Sequence, residues 1–187
     1  MTLKEELLVM LNCFGGKVIG KTRLMKYVYF VSELRGVKKS GFRPYFYGPY
    51  SDEVSSALEA LVFLGLVEQK RTEHGPGDRG YEKVLFEYTL TNDGVGLAQA
   101  LAEQHSKEAQ SIRGAADKLA SKAKKIGYME LSCAAKAHFL LRQGAGKKMT
   151  VQSIVEKART FDWKLRASEA QRCADLLVDM GLAEKKN

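Results

Sequence analysis

The chain has 187 residues with 30 Lys/Arg against 22 Asp/Glu, a formal net charge of +8, and 45% hydrophobic residues. That is enough apolar material for one or two cores, and no apolar run nears the roughly 18 residues of a membrane span. The start, Met1-Thr2-Leu3-Lys4-Glu5-Glu6, is acidic and does not read as a signal peptide, so a cytoplasmic location and no membrane partner are expected.

The basic excess is uneven. Residues 1–96 hold 13 Lys/Arg and 12 Asp/Glu, whereas residues 97–187 hold 17 and 10. Such an excess either attracts phosphate without regard to sequence or simply keeps a surface solvated. Cys13, Cys133 and Cys173 are far apart, form no CxxC pair and sit among apolar helical positions, which predicts buried reduced thiols.

In chain order, residues 3–14 place Leu3, Leu7, Leu8, Leu11 and Phe14 on one face of a helix that Gly15-Gly16 stops. Lys17-Val18-Ile19 is a strand fragment, and a second helix runs from Lys21 to Leu34 with Leu24, Val28, Val31 and Leu34 inward. An extended aromatic stretch, 41–47, breaks at Gly48-Pro49. Ser51 then caps a third helix, with Asp52 and Glu53 complementing its dipole and Val54, Leu58, Leu61, Val62 and Leu64 facing a core. Two strands, 66–71 and 83–90, flank a Gly/Pro-rich tip at 73–80.

Thr91 caps a long Ala-rich helix predicted over 94–125, whose sparse apolar residues suggest a connector or half of a two-chain contact, hence a homodimer. Helices over 130–142, 151–160 and 168–180 follow, with a strand fragment at Lys147-Lys148-Met149 and with Thr150 and Ser168 as caps.

Two strings share six of ten positions: Leu61-Val62-Phe63-Leu64-Gly65-Leu66-Val67-Glu68-Gln69-Lys70 and Leu177-Val178-Asp179-Met180-Gly181-Leu182-Ala183-Glu184-Lys185-Lys186. Each reads as a helix ended by a left-handed Gly. With the order helix, strand, helix, helix, hairpin, this predicts a mainly α (α+β) fold. It would contain two winged helix-turn-helix-like units, residues 1–93 and 127–187, joined by a helix over 94–126. The exit of the second copy, Ala183–Asn187, is short for a hairpin, so a second copy without a wing is expected.

No catalytic constellation is visible, so a non-enzymatic protein without cofactor or metal is expected. His74, His105 and His138 lie far apart and lack ligand-spaced partners, and there is neither a Walker loop nor a GxGxxG motif. His138, among Ala137, Phe139 and Leu140, reads as a partly buried helical residue.

For nucleic acid, the first copy's third helix is unsuited, since it bears Asp52, Glu53 and Glu59 and no Lys or Arg. Lys21, Arg23 and Lys26 on the second helix, and Lys70, Arg71 and Arg79 on the wing, are nearby cations that solubility alone also explains. The second copy is better equipped. Lys164, Arg166 and Arg172 surround the start of its third helix beside Gln171, and Lys147 and Lys148 precede its second. Lys118, Lys122, Lys124 and Lys125 extend the basic surface, against Glu169, Asp175 and Asp179.

The stretch Phe42-Arg43-Pro44-Tyr45-Phe46-Tyr47-Gly48-Pro49-Tyr50 is the densest aromatic cluster. It is either packing between the second and third helices or, where exposed, a partner-binding surface centred on Tyr45, Tyr47 and Tyr50. Lys21-Thr22-Arg23-Leu24-Met25-Lys26-Tyr27-Val28-Tyr29-Phe30, then Phe46-Tyr47-Gly48-Pro49-Tyr50-Ser51 and Leu61…Gly65-Leu66, resembles a pattern of poorly characterised bacterial and archaeal winged-helix proteins. More distantly, it resembles the Panacea-type antitoxin domains. The resemblance covers about residues 3–95 and implies a DNA-binding or partner-binding regulator with no catalytic residues to carry over. Two functions are therefore expected: a regulator binding double-stranded DNA through the basic C-terminal half, or a protein-interaction adaptor or antitoxin-like module.

Overall fold

Thr2 starts the chain's first helix with a reciprocal cap. Its hydroxyl accepts the Glu5 N–H, and the Glu5 carboxylate accepts the Thr2 N–H at 2.7 Å. The computed structural model describes residues 1–37, 41–76, 82–123, 127–143 and 150–184. In order, these form α1 (Leu3–Cys13), β1 (Lys17–Ile19), α2 (Lys21–Leu34), α3 (Asp52–Phe63), β2 (Val67–Pro76), β3 (Glu82–Leu90), α4 (Asn92–Gln104), α5 (Ser106–Ala123), α6 (Tyr128–Gln143), α7 (Val151–Arg159) and α8 (Ala167–Asp179).

The three strands form an antiparallel sheet in the order β1-β3-β2. Val18 lies opposite Tyr88, and β2 pairs with β3 from Val67↔Leu90 to Glu73↔Val84. Val18, Val67, Tyr88 and Leu90 point into the core with Leu7, Leu11, Leu24, Phe30, Val54, Leu58 and Leu61. The fold is mainly α with a small sheet, and α1 to β3 have the winged-helix order.

Both copies of the repeated string end their helices the same way. The Leu66 N–H bonds to Leu61 O and the Gly65 N–H to Val62 O; the Leu182 N–H bonds to Leu177 O and the Gly181 N–H to Val178 O. Gly65 and Gly181 both have φ +70°, the left-handed conformation that these paired bonds require. Leu64 is a correction: it is 58% exposed, and Phe63 is 90% exposed. Leu64 is the C-cap residue, beyond Leu61, the last buried position of α3.

The single long helix expected over 94–125 is also corrected. It breaks at His105 (φ −115°, ψ 50°) into α4 and α5, which fold back on α1, with α5 packing on α2 as well. Ala98 and Leu101 of α4 and Ala109, Ala115, Ala116, Ile112 and Leu119 of α5 are buried. Small Ala side chains let these helices approach closely, so burial does not need the many large residues whose scarcity suggested a connector. The apolar face that argued for a two-chain contact is thus covered within the chain.

α6 lies between α2 and α8 and is buried through Leu131, Ala134, Ala135, Ala137, Leu140 and Leu141. Arg142 pairs with Glu33 of α2. The C-terminal unit closes around Ile154, Ala158, Trp163, Ala170, Cys173, Leu177 and Met180. Thr150 caps α7 by accepting the Ser153 N–H at 3.2 Å. The cap of α8 falls on Arg166 and not on Ser168, because the Glu169 carboxylate takes the Arg166 N–H at 2.9 Å. The strand fragment expected at 147–149 lies outside the described residues.

Candidate functional site

The aromatic turn is held between α2 and the segment before α8. Arg43 and Tyr50 exchange both backbone bonds at 2.9 Å, and the Gly48 N–H closes the turn on Tyr45 O. The ammonium end of Lys26, from α2, donates to Pro49 O at 2.6 Å. From the α7–α8 turn, the Trp163 indole N–H donates to Tyr45 O at 2.7 Å. Gly48 has φ +96°, and a Cβ there would lie 3.1 Å from Lys136 Cγ and 3.4 Å from both Lys26 Cε and Ser132 O. Only glycine fits this turn against α6 without displacing a neighbour.

Lys26 is therefore no surface cation: its side chain is buried, and burial, helped by the nearby Lys136 charge, lowers its pKa to about 7. Two further residues of the motif, Leu24 and Tyr29, are buried as well. The Tyr29 hydroxyl lies 2.8 Å from His138 Nδ1. Burial raises the Tyr29 pKa and lowers that of His138 to about 4, so a neutral hydroxyl and a neutral imidazole share this hydrogen bond. His138, expected to be partly buried, is a core residue only 4% exposed.

Between the turn, α6 and α8 lies a cleft of about 220 Å³. Its walls carry Ser132, Cys133 and Lys136 from α6, Lys164, Glu169, Arg172 and Cys173 on and before α8, and Tyr47 from the turn. The Lys136 ammonium stands 5.4 Å from the Trp163 ring centre, and burial lowers its pKa. The thiols of Cys133 and Cys173 are hydrogen-bonded, which lowers the Cys133 pKa and raises that of Cys173, and Cys133 Sγ–H points at Glu169 O, 3.9 Å away. Ser132 Oγ is buried with no hydrogen-bond partner.

The expected nucleic-acid residues divide clearly. Lys164, Arg166 and Arg172 are all exposed around the start of α8. Arg172 comes within 3.9 Å of Glu130, and Lys164 forms no ion pair among the described residues. Arg71 on β2 pairs with Glu73 at 3.0 Å. Arg79, Lys147, Lys148, Lys124 and Lys125 lie outside the described residues. On α3, Asp52 is held by Arg43 at 2.9 Å and Glu59 by Lys21 at 3.5 Å, so its acids are partly neutralised within the chain.

Of the expected partner residues, Tyr45 and Tyr47 are 45% and 57% exposed and Tyr50 is half-buried, while Phe46 between them is 78% exposed. Lys26, Ser132, Lys136, Trp163 and the Cys133–Cys173 contact escape a reading by sequence. A partial signal exists: Ser132 and Cys133 are each one helical turn from Lys136, as Arg172 and Cys173 are from Glu169.

Fold and site together define a mainly α, α+β protein in which a winged helix is extended by five more helices among the described residues. No protein-family profile matches the chain. A stretch of 80 residues, 43% of the chain, is 30% identical to the uncharacterized protein YwgA of Bacillus subtilis (strain 168). The match spans 45% of that protein's length. No helix of the described residues is long and apolar enough to cross a membrane.

Proposed function

We propose that this protein binds double-stranded DNA through the α7–α8 turn and the first half of α8, as a transcriptional regulator of the winged-helix type. One observation carries the reading: Lys164, Arg166 and Arg172 are exposed with Ser168 and Gln171 on one side of α8, while Ala170, Cys173 and Leu177 are buried on the other. A helix anchored on one face, presenting cations and short polar donors on the other, suits phosphate contact with readout of base edges. Lys157 and Arg159 in the last turn of α7 add charge close by, and Lys147 and Lys148 adjoin α7 in sequence. Arg71, already paired with Glu73, has a lesser part, and Arg79 shares the wing sequence.

The test is fluorescence anisotropy of a labelled duplex at low salt. Replacing Lys164, Arg166 and Arg172 together by Gln is expected to weaken binding at least about tenfold, while Arg71→Gln has a smaller effect. Wild-type affinity in the triple variant, or no binding by the wild type, would overturn the reading.

A second reading has its own observation. Tyr45, Phe46 and Tyr47 form an exposed aromatic run on a turn that Lys26 and Trp163 hold rigid, which suits a protein partner at low entropic cost. A chain that loses a partner on Phe46→Ala but binds no duplex would favour it.

A further inference from the structure

The cleft between α6, α8 and the aromatic turn is built for something smaller than a macromolecule. We propose that it binds a small organic anion, a carboxylate on a flat apolar body, held by Lys136, Lys164 and Ser132.

Charge is the first argument. Lys136 from α6, and Lys164 and Arg172 before and on α8, line this cleft against Glu130 and Glu169. Both carboxylates already accept backbone N–H groups, Glu130 from Gly127 at 3.3 Å and Glu169 from Arg166 at 2.9 Å, and Arg172 leans toward Glu130. Lys136 and Lys164 form no ion pair among the described residues. Glu169 and the Trp163 ring lie near the Lys136 charge without pairing with it, so a ligand carboxylate in the cleft would give both lysines the ion pair they lack.

The orphaned hydroxyl is the second. Ser132 belongs to the wall of this cleft and is 4% exposed, and its Oγ is buried without a partner. A buried hydroxyl left in that state costs about 1–3 kcal/mol. A ligand oxygen restores the missing bond, with the serine donating to the carboxylate.

Shape is the third. At about 220 Å³ the cleft falls just below the range of about 300 to 1,000 Å³ usual for small-molecule sites, so it suits a compact ligand. Leu165 and Leu176 supply apolar wall, and Tyr47 and Met129, more than half exposed, form a rim that a flat ring would cover. Because Lys164 and Arg172 also stand at the proposed DNA surface, an occupied cleft would compete with phosphate for them. That consequence rests on the DNA reading, whereas binding of the anion does not.

The experiment is calorimetric titration of the full chain, without DNA, with naphthoate and with its neutral counterpart naphthalenemethanol. Saturable one-to-one binding of naphthoate, at least about tenfold tighter than the alcohol, is expected. Lys136→Met should weaken naphthoate about tenfold, and Lys164→Gln, an exposed change that leaves the fold alone, about threefold. Absence of binding by the wild type, equal affinity for the alcohol, or an unaltered Lys164→Gln variant would overturn the proposal. Duplex affinity is measured separately, so each reading can fail alone.

Discussion

Replacing Lys26 by Met should invert the sign of its effect on stability with pH. In the folded chain the Lys26 pKa is lowered to about 7, chiefly by burial and then by Lys136, against about 10.5 for an exposed lysine. A base whose folded pKa is depressed binds more protons unfolded than folded, so its contribution is complete above the unfolded value and is lost as pH falls toward the folded one. Between about pH 7 and pH 9.5 the linkage relation gives the wild type about 3 kcal/mol that the variant cannot gain.

At the alkaline end the neutral amine still donates to Pro49 O at 2.6 Å, and Met leaves that carbonyl without its partner, a loss of about 1–3 kcal/mol. Near neutrality the burial of a partly charged amine offsets that bond, so the variant should equal or exceed the wild type. Urea unfolding of both proteins across this range, followed by far-ultraviolet circular dichroism, measures the difference directly. A stability difference that stays constant with pH would refute the reasoning, because it would mean that Lys26 keeps its charge when folded.

Three further outcomes follow from the same contacts. Gly48→Ala should lower stability by about 1–3 kcal/mol in thermal unfolding, since the turn needs positive φ and the new Cβ would press on Lys136 and Lys26. Trp163→Phe should cost about 1–2 kcal/mol in urea, having removed the donor to Tyr45 O while keeping most of the packing. His138, with its pKa lowered to about 4 by burial and then Arg142, should make the fold lose up to about 3 kcal/mol as pH drops from about 6.5 to 4. In urea titrations across this range, His138→Gln should lose that portion of the acid sensitivity.

Much of the framework was legible in local chemistry. Ser51, Thr91 and Thr150 each accept the N–H predicted for a cap, because capping depends on residues within one turn. Gly65 and Gly181 end their helices alike for the same reason. The failures came where tertiary contact decides. Lys26 reads as a cation on a basic helix until Pro49 O, 23 residues away, is seen to take its proton donor. The Ala residues of α5 read as polar-helix filler until α1 and α2 are packed on them. The cleft itself joins Tyr47 to Lys164 and Cys133 to Cys173, pairings that no spacing along the chain reveals.

The tyrosine-rich motif changes meaning in the same way. Its Gly-Pro core is a structural latch, with Pro49 O tied to α2 and Gly48 pressed on α6, while only the leading Tyr45-Phe46-Tyr47 run faces outward. The two copies of the repeated string share a helix ending and little else: the first leads into a wing below an acidic helix, the second follows a helix edged with cations.

The salt dependence of duplex binding tests the central claim most directly. If Lys164, Arg166 and Arg172 each neutralise a phosphate, log affinity should fall linearly with log salt, and the triple Gln variant should show a slope shallower by about 3. A wild-type affinity that is flat with salt, or a triple variant with an unchanged slope, would contradict the account.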